Sequence, residues 1–256
     1  MSFFLGATWA LTRREVIRFF RQRSRVIGTL ATPILFWFLI GGGLKSSFVD
    51  PSQPMGNYFQ YFFPGTIVLS VLFTAIFSTI SVIEDRNQGF LQGVLVTPVP
   101  RSAIVLSKVL GGAILGVIQG GLLLTLSPLA MSEISVGQIL LSLSLLFLMA
   151  ASLTGLGFYF AWKINSVQGY HGIMNMVLVP LWLLSGAVFP IAGAHFILKY
   201  VGLANPLTYA VSSFREILNA NMVLSHFINA SLLMFLCAFL FLMLNTRMVR
   251  RSSFKS

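Results

Sequence analysis

Runs without any charge divide this chain. Asp, Glu, Lys and Arg are absent from residues 26–44, 51–83, 109–132, 134–162, 164–198 and 217–246, runs of 19, 33, 24, 29, 35 and 30 residues. A helix rises 1.5 Å per residue and needs about 20 apolar residues to cross a bilayer, so each run holds one span. The runs of 33 and 35 residues are too short for two spans and a turn, which makes six the preferred count. The apolar positions place spans at about 26–44, 58–83, 104–130, 136–160, 173–189 and 227–244. Pro33, Pro64 and Pro180 fall inside three of these and predict bends. Residues 131–135 make a tight turn, so the third and fourth spans are an antiparallel hairpin.

The polar positions define three further elements. Residues 3–24 have helical periodicity, with Leu5, Trp9, Val16 and Phe20 on one side and Arg14, Arg18, Arg21 and Arg25 along the other. This predicts an amphipathic helix lying along the membrane interface, resting on lipid, docked on protein, or both. After the second span, Glu84, Asp85 and Arg86 end the apolar run abruptly. Phe90, Leu91, Val94 and Leu95 then form a short stripe stopped by Pro98 and Pro100, a helix that fits either an interface or a docking partner. Between the fifth and sixth spans, residues 190–226 hold only short apolar stretches. These read as short helices on or dipping into the outer leaflet, packed where their backbone groups can pair.

Composition supports the same class. The chain is 56% hydrophobic and 9% charged, where soluble domains carry roughly 25% charged residues. Of its 17 Lys and Arg, all but Lys45, Lys199 and Arg215 fall on one side of the six-span arrangement. The positive-inside tendency makes that side cytoplasmic, both termini included, as in a bacterial-type inner (plasma) membrane. Glu15, Glu84 and Asp85 share it while Asp50, Glu133 and Glu216 lie opposite, so the net charge of +11 is carried inside. Topology and anionic lipid account for this excess, and nucleic-acid binding is set aside. At the inner surface Glu84 or Asp85 is placed to pair with Arg14 or Arg18. The first apolar run, 19 residues behind a 25-residue arm, exceeds a signal-peptide core and is expected to remain as a span. The reading is a single transmembrane domain over 1–256, with an arm at 1–25, a six-span bundle at 26–246 and a basic tail at 247–256.

Most chemistry is missing. No glycine-rich run followed by Lys and Ser or Thr cradles a nucleotide phosphate, so any ATP consumption belongs elsewhere. Span centres carry no charge of the kind that ion-coupled carriers keep in the membrane. His171, His195 and His226 lie near span ends without ligand spacing, Cys237 is the only cysteine, and no nucleophile elbow is present. The expectation is a non-catalytic chain with no bound cofactor or metal. Asn229-Ala-Ser231 matches a glycosylation acceptor formally but lies at the sixth span, out of reach.

Glu84-Asp85-Arg86, Gly89, Leu91, the Thr97-Pro98-Val99-Pro100-Arg101 turn and Lys108 resemble the cytoplasmic loop of type 2 ABC exporter permeases. Leu184-Ser185-Gly186-Ala187-Val188-Phe189-Pro190, then Asn205-Pro206-Leu207-Thr208-Tyr209 and Arg215, resemble that family's fifth span and outer segment. Within the family, the daunorubicin-resistance and nodulation lipo-oligosaccharide export permeases are the most similar. The resemblance implies an all-α fold and an assembly of two permeases, alike or paired, with two ABC ATP-binding subunits that hold ATP and Mg. It also implies a coupling helix, by position 86–96, with Glu84, Asp85, Arg86, Gly89, Phe90, Leu91, Val94, Pro98 and Arg101 serving ATPase coupling. Arg14, Arg18 and Arg21 would belong to the interface helix, and Pro190, Asn205, Pro206, Tyr209 and Arg215 to the outer motif. Gly155-x-Gly157 offers a small-residue site for a homodimer interface. Charge-free span centres suit an amphipathic or lipid-linked solute such as a drug, lipid or lipo-/polysaccharide. A membrane assembly or cofactor-maturation factor, and an ATP-independent carrier, are the alternatives.

Overall fold

The computed structural model describes residues 2–44, 57–131, 134–191 and 195–252. Lys45, Asp50 and Glu133, three of the charged residues expected on the outer side, lie outside these residues. The described residues form helices: α1 (Ser2–Arg21), α2 (Arg23–Phe36), α3 (Tyr58–Asn87), α4 (Phe90–Leu95), α5 (Arg101–Leu124) and α6 (Ser127–Ala130). Then come α7 (Val136–Lys163), α8 (Val167–Trp182), α9 (Phe196–Ala204), α10 (Pro206–Leu218) and α11 (Leu224–Ser252). Helices α2 and α8 each pass into a π-helical turn, Trp37–Gly41 and Leu183–Ala187.

Six of these segments are long and apolar enough to cross a membrane, beginning at Arg23, Tyr58, Arg101, Val136, Val167 and Leu224. Their starts follow local chemistry. Asn57, Ser135, Ser166 and Asn205 each accept a backbone N–H of the first turn of α3, α7, α8 and α10, and Ser135 with Gln138 completes a reciprocal capping box. The third span is shorter than the apolar pattern suggested. It ends at Leu124, and α6 follows as a separate turn because Pro128 has no N–H to continue the ladder. Helix α3 continues through Pro64 as one element. Arg247, Arg250 and Arg251 occupy the last turns of α11, where cations favour the helix dipole.

Spans α3, α5 and α7 form the centre, with 83%, 72% and 56% of their most apolar stretches buried. The spans of α8, α2 and α11 lie around them at 39%, 22% and 11%. Close approach of α5 to α7 rests on Gly112, Gly116 and Gly120, where an added Cβ would meet Thr154 at 2.4 Å, Ala150 at 2.5 Å and Leu146 at 2.9 Å. Between helices in lipid such packing is the main attraction, because tails are as apolar as the side chains. Gly155 and Gly157 are used the same way inside one chain. The first faces Phe241 of α11 and the second Thr79 and Tyr170, so this pair is not left open for a homodimer contact.

Outward faces are apolar. Helix α11 exposes Ile228, Leu232, Phe235, Leu236, Phe239 and Leu240, a continuous surface suited to lipid. Helix α1 shows a related inversion. Its buried face is Thr8, Thr12, Glu15 and Phe19, packed on α5, while Leu5 and Trp9 stay exposed. Helices α9 and α10 are the short pair expected between the last spans, and α10 buries Leu207, Val211, Phe214 and Leu218 against the bundle.

Candidate functional site

At the end of the molecule that holds α1, seven charged side chains from α1, α2, α3 and α5 converge. Asp85, 1% exposed in the last turn of α3, meets Arg14 at 2.8 Å, Arg18 at 2.5 Å and Lys108 of α5 at 2.6 Å. Glu84 meets Arg18 at 2.7 Å and Arg25 of α2. Glu15 meets Arg14 at 3.0 Å and Lys108 at 2.8 Å, and Ser81 donates to Glu15 at 2.7 Å while accepting from Lys108 at 2.9 Å. Four cations thus surround three anions, one positive charge in excess, within a largely buried space. Charges this buried are tolerable only when paired and hydrogen bonded, so loss of one member leaves its partners uncompensated. Burial alone would lower the Arg14 guanidinium, but hydrogen bonding to Asp85 and the charges of Asp85 and Glu15 hold it above its ordinary value.

Helix α4 hangs from this cluster. Gly89, with φ of 78°, takes the left-handed turn that ends α3 and starts α4. The helix is six residues long, not the eleven of 86–96, because Glu84, Asp85 and Arg86 are drawn into α3 by their partners. Leu91 is buried, and the Arg14 guanidinium lies 3.6 Å from the centre of the Phe90 ring. Arg101 donates to the Leu95 carbonyl at 2.9 Å, closing the far end. Gln92, Gly93, Val96, Thr97 and Pro98 remain exposed, Val96 to 87%.

The opposite end is organised around backbone. Gly186, with φ of 79°, breaks the π turn after α8, and its carbonyl accepts from Tyr61 and from Arg215, each at 2.8 Å. Arg215 also stacks 4.0 Å over the Tyr61 ring. Tyr58 donates to the Val188 carbonyl at 2.8 Å, Asn205 to that of Leu181 at 2.6 Å, and Trp182 to that of Gly65 at 2.8 Å. A Cβ on Gly65 would sit 2.4 Å from the Ala187 oxygen. Tyr209 donates to the nearby Leu203 carbonyl at 2.9 Å, and Pro190 lies just beyond the break.

A family model described as ABC-2 type transporter matches residues 6–219, from α1 to the turn after α10. The chain belongs to this family. Relatives bearing the name transport permease ycf38 are 25% identical over 215 residues in Cyanophora paradoxa, covering 83% of this chain and 74% of theirs. One from Porphyra purpurea is 24% identical over 214 residues, covering 81% and 72%. The protein is therefore a multi-pass membrane protein of the ABC-2 type, a permease subunit by family.

In this ABC-2 chain the residues singled out from sequence divide into groups. Arg14, Arg18, Glu84 and Asp85 meet in the cluster, and Gly89, Phe90, Leu91 and Val94 build α4 beside it. Arg21 is exposed and lines an open groove with Arg13, Ile17 and the cluster's own Arg14 and Arg18. Arg86 points away toward α7, where it meets backbone carbonyls. Glu15, Ser81, Arg25 and Lys108 were not among the candidate site residues. Glu15 had a signal, being the sole carboxylate in an arm of six arginines.

Proposed function

We propose that the chain is the permease of an ATP-driven exporter, powered by a separate ABC ATP-binding subunit. Two permeases, identical or similar, would work with two ATPases that hold ATP and Mg, this chain contributing no catalysis. The cluster-bearing end is the cytoplasmic one, with both termini there, in a bacterial-type inner membrane; the basic excess supports this. Charge-free spans favour an amphipathic or lipid-linked solute moved outward.

One observation carries the reading: α4 presents an exposed face at its tip while its root is fastened by Arg14 and Asp85 to helices leading into the bundle. Such an element can be pushed from outside and pass displacement inward, which is what an equilibrium between inward- and outward-open states needs. The test is reconstitution in phospholipid vesicles with and without the ABC ATPase that co-purifies with the chain. Transport of a fluorescent lipid only when that ATPase and ATP are present is expected. Equal transport by the permease alone, or no ATPase recovered with it, contradicts the proposal.

A further inference from the structure

Arg86 lies in the last turn of α3 but takes no part in the charge cluster. Its Nη1 donates to the Trp162 carbonyl at 2.7 Å, and its Nη2 donates to those of Ala161, at 3.2 Å, and Ile164. These are the carbonyls that a helix leaves without intrahelical donors at its end, here the end of α7. Lys163, the cation that α7 itself carries there, turns instead onto Tyr159, its Nζ 2.5 Å from the hydroxyl. Three guanidinium bonds to three backbone oxygens make a rigid joint, because Arg is planar and presents several donors in fixed directions.

The joint has elements on both sides. Toward α4, the Arg86 carbonyl accepts from Gln92 at 3.2 Å. Toward α8, only Ile164, Asn165 and Ser166 separate α7 from the first residue of α8, and Ser166 caps α8 by accepting from Gly169 at 3.1 Å. Further into the membrane the same seam carries the contact between Thr79 of α3 and the Tyr170 hydroxyl of α8, over Gly157 of α7. The span of α8 is lightly packed, with 39% of its apolar stretch buried against 83% for that of α3, so fewer contacts within the chain hold its tilt.

We infer that Arg86 is a positioning residue that carries displacement of α4 into α8 through the end of α7, an arm separate from the cluster that leads to α1 and α2. This rests on the exporter reading. The arms diverge at consecutive residues, Asp85 facing the cluster and Arg86 facing α7.

The test uses the full chain with Cys237→Ala and spin labels on cysteines placed at exposed Gln88 and Asn165, in complex with the co-purifying ATPase. With Arg86 present, the distance between the labels is expected to stay the same with and without ATP and vanadate, as the two corners move together. In R86A the distance is expected to shift on nucleotide binding beyond the width of its distribution, with transport reduced roughly tenfold. A distance in R86A that ignores nucleotide, or transport within about twofold of the unsubstituted chain, overturns the inference. Should R86A fail to assemble, R86K takes its place: it keeps the charge but not the fork, the same shift is expected, and its absence is equally contrary. Failure of the unsubstituted chain to capture an ATPase refutes the exporter reading itself and is distinguishable from either result.

Discussion

The two ends of the molecule are held by different chemistry. The cluster end uses charges on long side chains that share partners: Asp85 has three cations, Arg18 has two carboxylates, and Lys108 has two. The opposite end uses Tyr58, Tyr61, Asn205 and Arg215 to satisfy carbonyls at one fixed break in the backbone. A shared ion network can exchange partners with small changes in side-chain angle, whereas a capped helix break has a single arrangement that its backbone dictates. The contrast teaches where motion belongs. The cluster end is suited to receive displacement, and the opposite end to hold the bundle while that occurs.

The strongest way to break the contrast is to empty the centre of the network. Asp85→Asn removes the anion that Arg14, Arg18 and Lys108 share, and breaking a buried ion pair costs about 3–5 kcal/mol. Thermal unfolding in detergent is expected to shift down by that order, with transport abolished; unchanged stability would mean that the pairs are solvated rather than structural. Gly65→Ala strikes the other end, where the new methyl would meet the Ala187 oxygen at 2.4 Å and force α3 from the π turn. Overpacking of this kind costs about 1–3 kcal/mol, and the same melting experiment reads it. Tyr58→Phe sharpens the comparison with a smaller loss. It removes the hydrogen bond to the Val188 carbonyl, an interaction worth about 0.5–1.5 kcal/mol. Its melting point should fall slightly while ATP-dependent transport persists, and a transport loss as deep as that of Asp85→Asn would show that the opposite end is no passive clamp. Smallest of all is His226→Ala, which breaks an exposed pair with Glu216 and should leave stability within roughly 1 kcal/mol.

Much of the fold was readable because bilayers impose one demand at a time. Charge-free runs located six spans, whereas the caps that fix two helix starts, Ser135 with Gln138 and Asn205 before Pro206, were present as local signals but were not drawn on. The pairing of Arg14 and Arg18 with Glu84 and Asp85 was also within reach, since both groups had to sit at one membrane surface. What the chain did not disclose depends on register between distant helices. Lys108 joins Asp85 only because Gly111 and Gly112 let α5 lie close to its neighbours, with Gly111 against Glu15. Likewise Arg86, read as part of the docking helix, is claimed by the end of α7, and that depends on where α7 stops. Helix α4 was overextended for a related reason: tertiary partners of Glu84 and Asp85 lengthened α3 to Asn87 and left Gly89 as the true boundary.

In the proposed assembly the exposed tip of α4 is gripped by an ATP-consuming partner. A photo-crosslinking amino acid placed at Val96, with the same probe at exposed Phe196 of the opposite end as control, tests it most directly in intact cells. A crosslink from position 96 to an ABC ATP-binding subunit, and none from position 196, is expected. A permease that transports its substrate with position 96 crosslinking to no such subunit would contradict it.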